Sequence, residues 1–190
     1  QGGLSLPDES YYRLENFDET RREFRAHIER MLTLAGVANA ATDADRIVAL
    51  ETELASHHWD NVRSRDAMAT YNLRTWTQLL ELAGLDLAPW LSALAPGKET
   101  AFDEVVVRQP SFLEGLGKLF VTERLQDWRD WLAWQIIHSA APFLPAEFVE
   151  ANFDFYGRTL TGTPTQRERW KRGVSFVEGA LGEAIGKIYV

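Results

Sequence analysis

The chain has 190 residues, and its 20 Lys and Arg against 28 Asp and Glu give a formal net charge of −8. Such an acidic chain lacks the basic surface that phosphate binding requires, so no nucleic-acid partner is expected. Its hydrophobic fraction of 45%, with seven Trp and ten Phe, favours a folded chain with a large core over a disordered one, and we expect a single domain over residues 1–190.

The sequence contains no cysteine, which excludes thiol catalysis, disulfide bonds and thiolate metal sites. No run approaches the roughly 18 apolar residues of a transmembrane helix, so no membrane segment is expected. The start, Gln1-Gly2-Gly3-Leu4, has no basic segment before an apolar run and no Met. We therefore expect no signal peptide, and a chain that is processed or is a piece of a longer protein. A cytoplasmic and an exported bacterial location both stay open.

The first third of the sequence predicts a loop followed by two helices. Residues 1–16 are rich in turn-forming residues and are expected to form the loop. Apolar residues at spacings of three and four predict a helix over 18–35, which Gly36 would end in a left-handed conformation. A second helix is expected over 42–56, with Thr42 or Asp43 as its N-cap. Residues 57–61 are interpreted as its frayed end.

The middle of the sequence predicts short helices and one strand. Over 69–94 the helical pattern is interrupted at Gly84 and Pro89. Residues 105–107 are three consecutive valines between turn-forming residues, and they are the only credible strand. A further helix is expected over 111–120, because the proline before it suits a first helical turn.

The last third predicts three more helices. Residues 122–141 carry apolar side chains on nearly every side, so this helix is expected to be the buried centre of the bundle. Another helix lies between Pro142 and Leu160, and the last has an apolar stripe over 170–188. The stripe reaches the end of the chain, so we expect a truncated helix with exposed apolar surface and self-association. The predicted fold class is mainly α, an irregular multi-helix bundle with at most one or two short strands.

The four histidines do not form the motif of a zinc peptidase. In His-Glu-x-x-His two histidines one helical turn apart bind the metal and Glu activates a water, but no histidine here is followed by Glu. A weaker metal hypothesis uses Glu53 and His57, four residues apart, with His58 or Asp60 nearby. The alternative is a solvated helix end, where His57 suits the negative end of the dipole. His138 is expected to be a core histidine that is hydrogen-bonded to backbone.

Nucleophile and phosphate-binding motifs are incomplete. Residues 3–7 and 173–177 each contain Gly-x-Ser but lack the final glycine of a nucleophile elbow. The pair Gly115-x-Gly117 lacks the third glycine of a dinucleotide loop. Three glycines of the last helix are expected to let a neighbouring helix approach closely rather than to bind a ligand. They are Gly179, Gly182 and Gly186.

A basic cluster opens the last helix. Arg167, Arg169, Lys171 and Arg172 surround Trp170 and could form an anion site. The positive end of a helix dipole disfavours several cations, so ion pairs with carboxylates of neighbouring helices are the favoured interpretation. Carboxylates are too numerous for one pair to be identified as acid and base. The sequence therefore assigns no catalytic residue and no metal ligand, and leaves the substrate-binding residues unknown.

The last third also carries a recognisable run of residues. The run comprises Phe153-Asp154-Phe155-Tyr156-Gly157, Leu160-x-Gly162, Arg169-Trp170-Lys171-Arg172, Val177 and 181–190. Earlier segments occur in the same order, namely Gly3-Leu4-Ser5-Leu6-Pro7-Asp8, Tyr11-Tyr12, Leu50-Glu51, Arg65-Asp66, Tyr71-Asn72, Val105-Val106, Pro110 and Leu113. This ordered set resembles the neprilysin and endothelin-converting-enzyme family of zinc metalloendopeptidases, over essentially the whole chain.

The resemblance implies that the chain is an N-terminal, non-catalytic region of a longer peptidase. Such a region forms a helical domain that covers the active-site cavity and limits the size of peptide substrates, and residues near both termini would continue into the catalytic lobe. The family's zinc ligands, water-activating Glu and substrate-binding residues would follow Val190, so one zinc is expected in that lobe and none here. The implied partners are the catalytic lobe of the same polypeptide and peptide substrates.

One departure and two alternatives accompany the resemblance. Vertebrate members tend to have a disulfide-bonded Cys where this chain has Gly173, which favours a bacterial member. The first alternative is a stand-alone protein-binding or scaffold module, such as a catalytically dead relative of the family. The second is an independent enzyme with a site around Glu53 and His57.

Overall fold

Helices make up most of the chain. The computed structural model describes residues 2–189; Gln1, where the expected loop begins, and Val190, which ends the family-like run, lie outside the described residues. The predicted fold class, mainly α with at most two short strands, is confirmed. In chain order the helices are α1 (Ser10–Arg13), α2 (Asp18–Leu34), α3 (Ala40–His57), α4 (Ala67–Thr70), α5 (Trp76–Ala83), α6 (Ala88–Leu94), α7 (Pro110–Leu119), α8 (Leu125–Ala140), α9 (Ala146–Asn152) and α10 (Arg169–Tyr189).

Two strands, a π-helical segment and several short 3-10 helices complete the fold. Strands β1 (Leu73–Thr75) and β2 (Glu104–Val106) pair antiparallel, with Leu73 opposite Val106. A π-helical segment, Phe153–Thr159, continues α9. The sequence predicted β2 but not β1, because β1 has only three residues, all exposed, and it is stabilised by pairing with a distant segment.

The main core lies where α3 packs between α2 and α8. Phe24, Ile28 and Met31 recur at helical spacing on α2 and meet Ile47 of α3 and Trp134 of α8. All five side chains are completely shielded from solvent. Burial of side chains of this size contributes about 1.5–3 kcal/mol each, so the contact of these three helices holds the fold together.

Most helix boundaries agree with expectation, and the exceptions have local causes. Gly36 adopts φ 79° after α2, as predicted. Helix α3 begins at Ala40 without a side-chain cap, so the cap expected at 42–43 is wrong. Pro89 lies in the first turn of α6 instead of interrupting a helix, because a proline there loses no helical hydrogen bond. The expected loop over 1–16 contains the one-turn helix α1.

Two glycines allow α7 to pack closely against its neighbours. A Cβ atom at Gly115 would lie 2.1 Å from Cγ of His57 on α3. A Cβ atom at Gly117 would lie 1.8 Å from the carbonyl oxygen of Ala83 at the end of α5. Both distances are far below van der Waals contact, so α7 sits where only glycine leaves room for it.

Candidate docking surface

The side chains of the metal hypothesis have other partners. Glu53 binds Arg124 through two contacts of 2.6 and 2.9 Å. His58 Nδ1 lies 3.1 Å from the side-chain oxygen of Gln109, and His57 packs beside α7. Within residues 2–189 no group of three or more His, Asp or Glu side chains is placed to hold a metal ion. The described residues therefore do not fit a zinc ion.

Two other histidines lie in an aromatic cluster. His27 stacks on Phe155 with ring centroids 5.1 Å apart, and His138 stacks on Trp134 at 5.2 Å. His27 Nε2 and His138 Nδ1 are buried without a hydrogen-bond partner in the described part of the chain, so the expected backbone bond at His138 is wrong. Burial lowers the pKa of His27 to about 3, with repulsion from His138 adding to the effect. Burial also lowers the pKa of His138.

Ser5 belongs to a buried hydrogen-bond network and is not placed as a nucleophile. Its backbone N–H and its hydroxyl donate to the carboxylate of Glu51 at 3.0 and 2.7 Å. The hydroxyl of Tyr12 donates to the same carboxylate at 2.6 Å, and so do Trp131 Nε1 at 3.1 Å and Gln135 Nε2 at 3.2 Å. The network ties the N-terminal segment to α3 and α8.

Glu51 is fully buried, and none of its hydrogen-bond partners within residues 2–189 is a cation. Burial raises the pKa of Glu51, while the hydrogen bonds from Ser5, Tyr12 and Trp131 oppose that change. Because every contact on the two carboxylate oxygens comes from a donor, the geometry suits an ionised side chain that only accepts. Sequence reasoning missed this buried network. Its only signal in the sequence is one glutamate, Glu51, among the apolar residues on the inner face of α3.

An apolar stripe on α10 is exposed to solvent. Trp170, Val174, Val177 and Leu181 recur on one side of the helix as far as a kink at Leu181, where φ is −128° and ψ is 28°. Ile188 lies beyond the kink, and the exposed fractions of the five side chains range from 44% to 88%. None of the described side chains of α10 is buried. A ring contact of 4.7 Å between Phe176 and Phe143 joins the helix to the rest of the structure. A contiguous exposed stripe of this kind is typical of a surface that another protein element covers.

Helix α8 has a second exposed apolar face. Trp134 is completely buried, but Leu125, Leu132 and Ile136 on the other side are 47%, 54% and 60% exposed. The expectation of a centrally buried helix is therefore wrong for this face. Helices α2 and α3 pack against α8 from the side of Trp134. Only one side of this helix is therefore buried, although apolar residues occur all round it.

The glycines of α10 face open space. A Cβ atom at Gly179, Gly182 or Gly186 would meet nothing within 4 Å. The expected close approach of a neighbouring helix is therefore wrong for the described residues. Each glycine lowers helix stability by about 1 kcal/mol relative to alanine, without a packing contact in this structure that explains it.

A groove of about 950 Å³ lies between α9 and the beginning of α10. Phe143, Phe153 and Phe176 contribute aromatic surface to its lining, together with prolines and aliphatic residues. Four arginines and one glutamate also line it; the arginines are Arg158, Arg167, Arg169 and Arg172.

Most of this positive charge is not neutralised. Arg158 forms an ion pair with Asp154, and Arg167 donates to the hydroxyl of Ser175 at 3.2 Å. Among the described residues, Arg167, Arg169 and Arg172 form no ion pair, whereas Lys171 pairs with Glu168. The favoured interpretation of the basic cluster as a set of ion pairs is thus wrong for its three arginines.

A comparison with protein families decides the identity of the chain. The model of peptidase family M13 matches residues 1–190, the whole chain, at the family's N-terminal region. The chain belongs to peptidase family M13. The predicted resemblance to the neprilysin and endothelin-converting-enzyme family is confirmed.

Known M13 proteins are similar along the full chain. Neprilysin-2 of Drosophila melanogaster is 30% identical over 211 aligned residues, covering 100% of this chain and 26% of that protein. The zinc metalloprotease ZMP1 of Mycobacterium tuberculosis is 46% identical, with a TM-score of 0.94 in its inhibitor complex and 0.93 in its open state. This chain covers 29% and 30% of those two structures. It therefore spans less than a third of the length of its M13 relatives.

Residues 2–189 of this M13 chain contain neither a group of zinc ligands nor a helix that could cross a membrane. The ZMP1 structures are named as those of a zinc metalloprotease, but the side chains of residues 2–189 offer no group of ligands for that metal. No helix over the same residues is long and apolar enough to cross a membrane. The surfaces that stand out here are the two exposed apolar faces and the arginine-lined groove.

Proposed function

We propose that this chain is the non-catalytic helical part of a zinc-dependent metalloendopeptidase, where it covers the active-site cavity and restricts the size of peptide substrates. The observation that carries the proposal is the exposed apolar stripe of α10 in a chain that matches the N-terminal region of family M13. A stripe that includes Trp170 and Leu181 is unfavourable in water, and a covering element removes that cost. In this proposal the covering element is the remainder of the same polypeptide.

The exclusion of large substrates would follow from the rigidity of the core. Helices α2, α3 and α8 share one buried cluster, to which Leu6 near the N-terminus and Phe155 near α10 also belong. Residues 1–190 would thus move as one helical domain, joined near both termini to the catalytic lobe. A wall of this kind admits short flexible peptides and excludes folded proteins. The zinc and the groups around it belong to the other lobe.

The docking of α10 can be tested by expressing the two parts as separate chains. We expect the 190-residue chain to copurify with the polypeptide that follows it and to form with it a peptidase that cleaves a short fluorogenic peptide. Val177→Asp places a charge in the middle of the stripe and should weaken this association by about tenfold or more. Val62→Asp makes the same change at another exposed position and should leave association unchanged.

The separate-chain experiment also decides between this proposal and a stand-alone binding or scaffold module. A scaffold module would not associate with the following polypeptide, and Val177→Asp would act like Val62→Asp. If Val177→Asp and Val62→Asp both associate with the following polypeptide as strongly as the wild type does, the proposed role of the stripe is contradicted. A following polypeptide without His-Glu-x-x-His would contradict the proposed peptidase.

A further inference from the structure

The arginine groove combines two features that the rest of this acidic chain does not explain. First, Arg167, Arg169 and Arg172 line one concavity without an ion pair in the described structure, and one glutamate, Glu150, lines it with them. Second, Arg169 and Arg172 lie in the first turn of α10 and Arg167 lies two residues before it, where the helix dipole adds further positive potential. Like charges in a shared concavity repel one another, and an anionic ligand in the groove would reduce this repulsion.

The walls of the groove show which kind of anion fits. Phe143 and Phe176 are 63% and 53% exposed and lie with ring centroids 4.7 Å apart, beside Phe153. Exposed aromatic surface next to guanidinium groups suits an occupant with apolar and carboxylate side chains close together. A peptide segment offers both, whereas a free inorganic anion would leave the aromatic surface in water.

We infer that the groove binds an extended peptide segment that carries acidic side chains next to aromatic or aliphatic ones. Arg169 and Arg172 receive the carboxylates, and the phenylalanines receive the apolar side chains. The assignment of this segment to the substrate of the peptidase rests on the proposed function, because a covering domain lies beside the peptide that it encloses. The binding of the peptide itself does not depend on the catalytic lobe.

A membrane surface and a nucleic acid fit the groove less well. The phenylalanines line a concavity, whereas binding to a lipid surface requires side chains that project from a flat or convex face. The chain as a whole carries a net charge of −8, which opposes attraction to either polyanion at long range. A short peptide reaches the local positive potential without meeting the acidic remainder of the surface.

The test measures fluorescence anisotropy of a short labelled peptide rich in Glu and Phe, titrated with the 190-residue chain. A matched peptide with Gln in place of every Glu should bind at least about tenfold more weakly at low salt. Binding of the acidic peptide should weaken as the salt concentration rises from about 0.05 to 0.5 M. The double variant Arg169→Gln with Arg172→Gln should lose about tenfold in affinity or more.

Two further variants make the result specific to the groove. Arg65→Gln with Arg129→Gln removes the same charge from exposed positions outside the lining and should bind like the wild type. Arg169→Glu with Arg172→Glu should instead bind a Lys- and Phe-rich peptide, a gain that misfolding cannot produce. Circular dichroism checks that each variant is folded.

Several outcomes would overturn the inference. These are no measurable binding of the acidic peptide by the wild type, equal losses in the groove and control variants, full competition by inorganic phosphate, or binding to anionic lipid vesicles in place of the peptide. Failure of the proposed function has a different signature. The 190-residue chain would then bind the peptide as inferred but would not associate with a catalytic lobe.

Discussion

The carboxylate of Glu51 joins the N-terminal segment to α3 and α8 through hydrogen bonds. Five hydrogen-bond contacts from four residues converge on it, and two of them come from Ser5, far away in the sequence. Glu53, two residues later on α3, is half exposed and pairs with Arg124. The two glutamates therefore provide a matched comparison of a buried and a surface carboxylate.

We predict that Glu51→Gln lowers the free energy of unfolding by about 3 kcal/mol, because the amide places donor hydrogens against groups that are themselves donors. Glu53→Gln should cost no more than about 1 kcal/mol, since its ion pair is exposed to solvent. Urea unfolding at neutral pH, followed by circular dichroism, measures both. A cost at Glu51 as small as at Glu53 would show that the carboxyl group is protonated in the folded chain.

His27 makes the stability of the chain sensitive to acid. The folded state lowers its pKa to about 3, whereas the unfolded value is about 6.5. Since the unfolded chain binds the proton more tightly, this contribution to stability is complete above pH 6.5 and is lost as the pH falls towards 3. The slope from one such group is at most about 1.4 kcal/mol per pH unit.

We predict that His27→Phe flattens the decline of unfolding free energy between about pH 6.5 and 4, because phenylalanine keeps the stack on Phe155 and cannot be protonated. At pH 7.5 the variant should be at least as stable as the wild type, because it removes a buried nitrogen without a partner. Urea unfolding across this pH range provides the measurement. An unchanged slope in the variant would assign the acid sensitivity to His138 or to other groups.

At the scale of elements, the glycines of α7 and α10 have opposite roles. Gly117 on α7 leaves no space for a methyl group because a backbone carbonyl faces it, whereas Gly179 on α10 faces open space. Gly117→Ala should therefore lower the free energy of unfolding by about 2–3 kcal/mol. Gly179→Ala should raise it by about 0.5–1 kcal/mol, the difference in helix propensity. Thermal unfolding of the two variants tests the pair, and similar effects would contradict the packing at α7.

Hydrophobic spacing predicted the helices well because local periodicity depends on the core that each helix faces. The apolar residues that recur at helical spacing on α2 and α3, such as Phe24 and Ile47, are buried. Spacing could not reveal β1, since Leu73–Thr75 is held by pairing with a segment some 30 positions away. Spacing also could not show that α8 is covered on one side only, because a helix with apolar residues all round has the same sequence pattern in a core and at an interface.

The candidate site was less accessible to sequence reasoning than the fold. The basic cluster was visible at Arg167, Arg169 and Arg172, but its state of pairing depends on where distant carboxylates lie. The Glu51 network joins residues separated by up to 130 positions, Ser5 and Gln135, and no local motif encodes it. The absence of His-Glu-x-x-His was visible directly in the sequence, but only the family resemblance suggested that the catalytic residues follow Val190.

At the scale of the whole molecule, the exposed stripes of α8 and α10 determine how the isolated chain behaves. We predict that the 190-residue chain self-associates at high concentration and binds a dye that fluoresces on apolar surfaces. Val177→Asp should reduce both effects while leaving thermal stability nearly unchanged, because the residue is exposed. Sedimentation and dye titration provide the measurements. A strictly monomeric chain without dye binding would mean that the exposed apolar residues of α8 and α10 do not form a surface that promotes self-association.

We propose that this helical chain covers a peptidase cavity and limits which substrates enter it. This proposal is tested most directly by comparing, for the complete polypeptide, the cleavage rate of one sequence as a short peptide and within a loop of a folded carrier protein. We expect rapid cleavage of the peptide, negligible cleavage of the carrier, and a rise in carrier cleavage relative to the peptide in Val177→Asp. Equal rates for peptide and carrier in the wild type would contradict it.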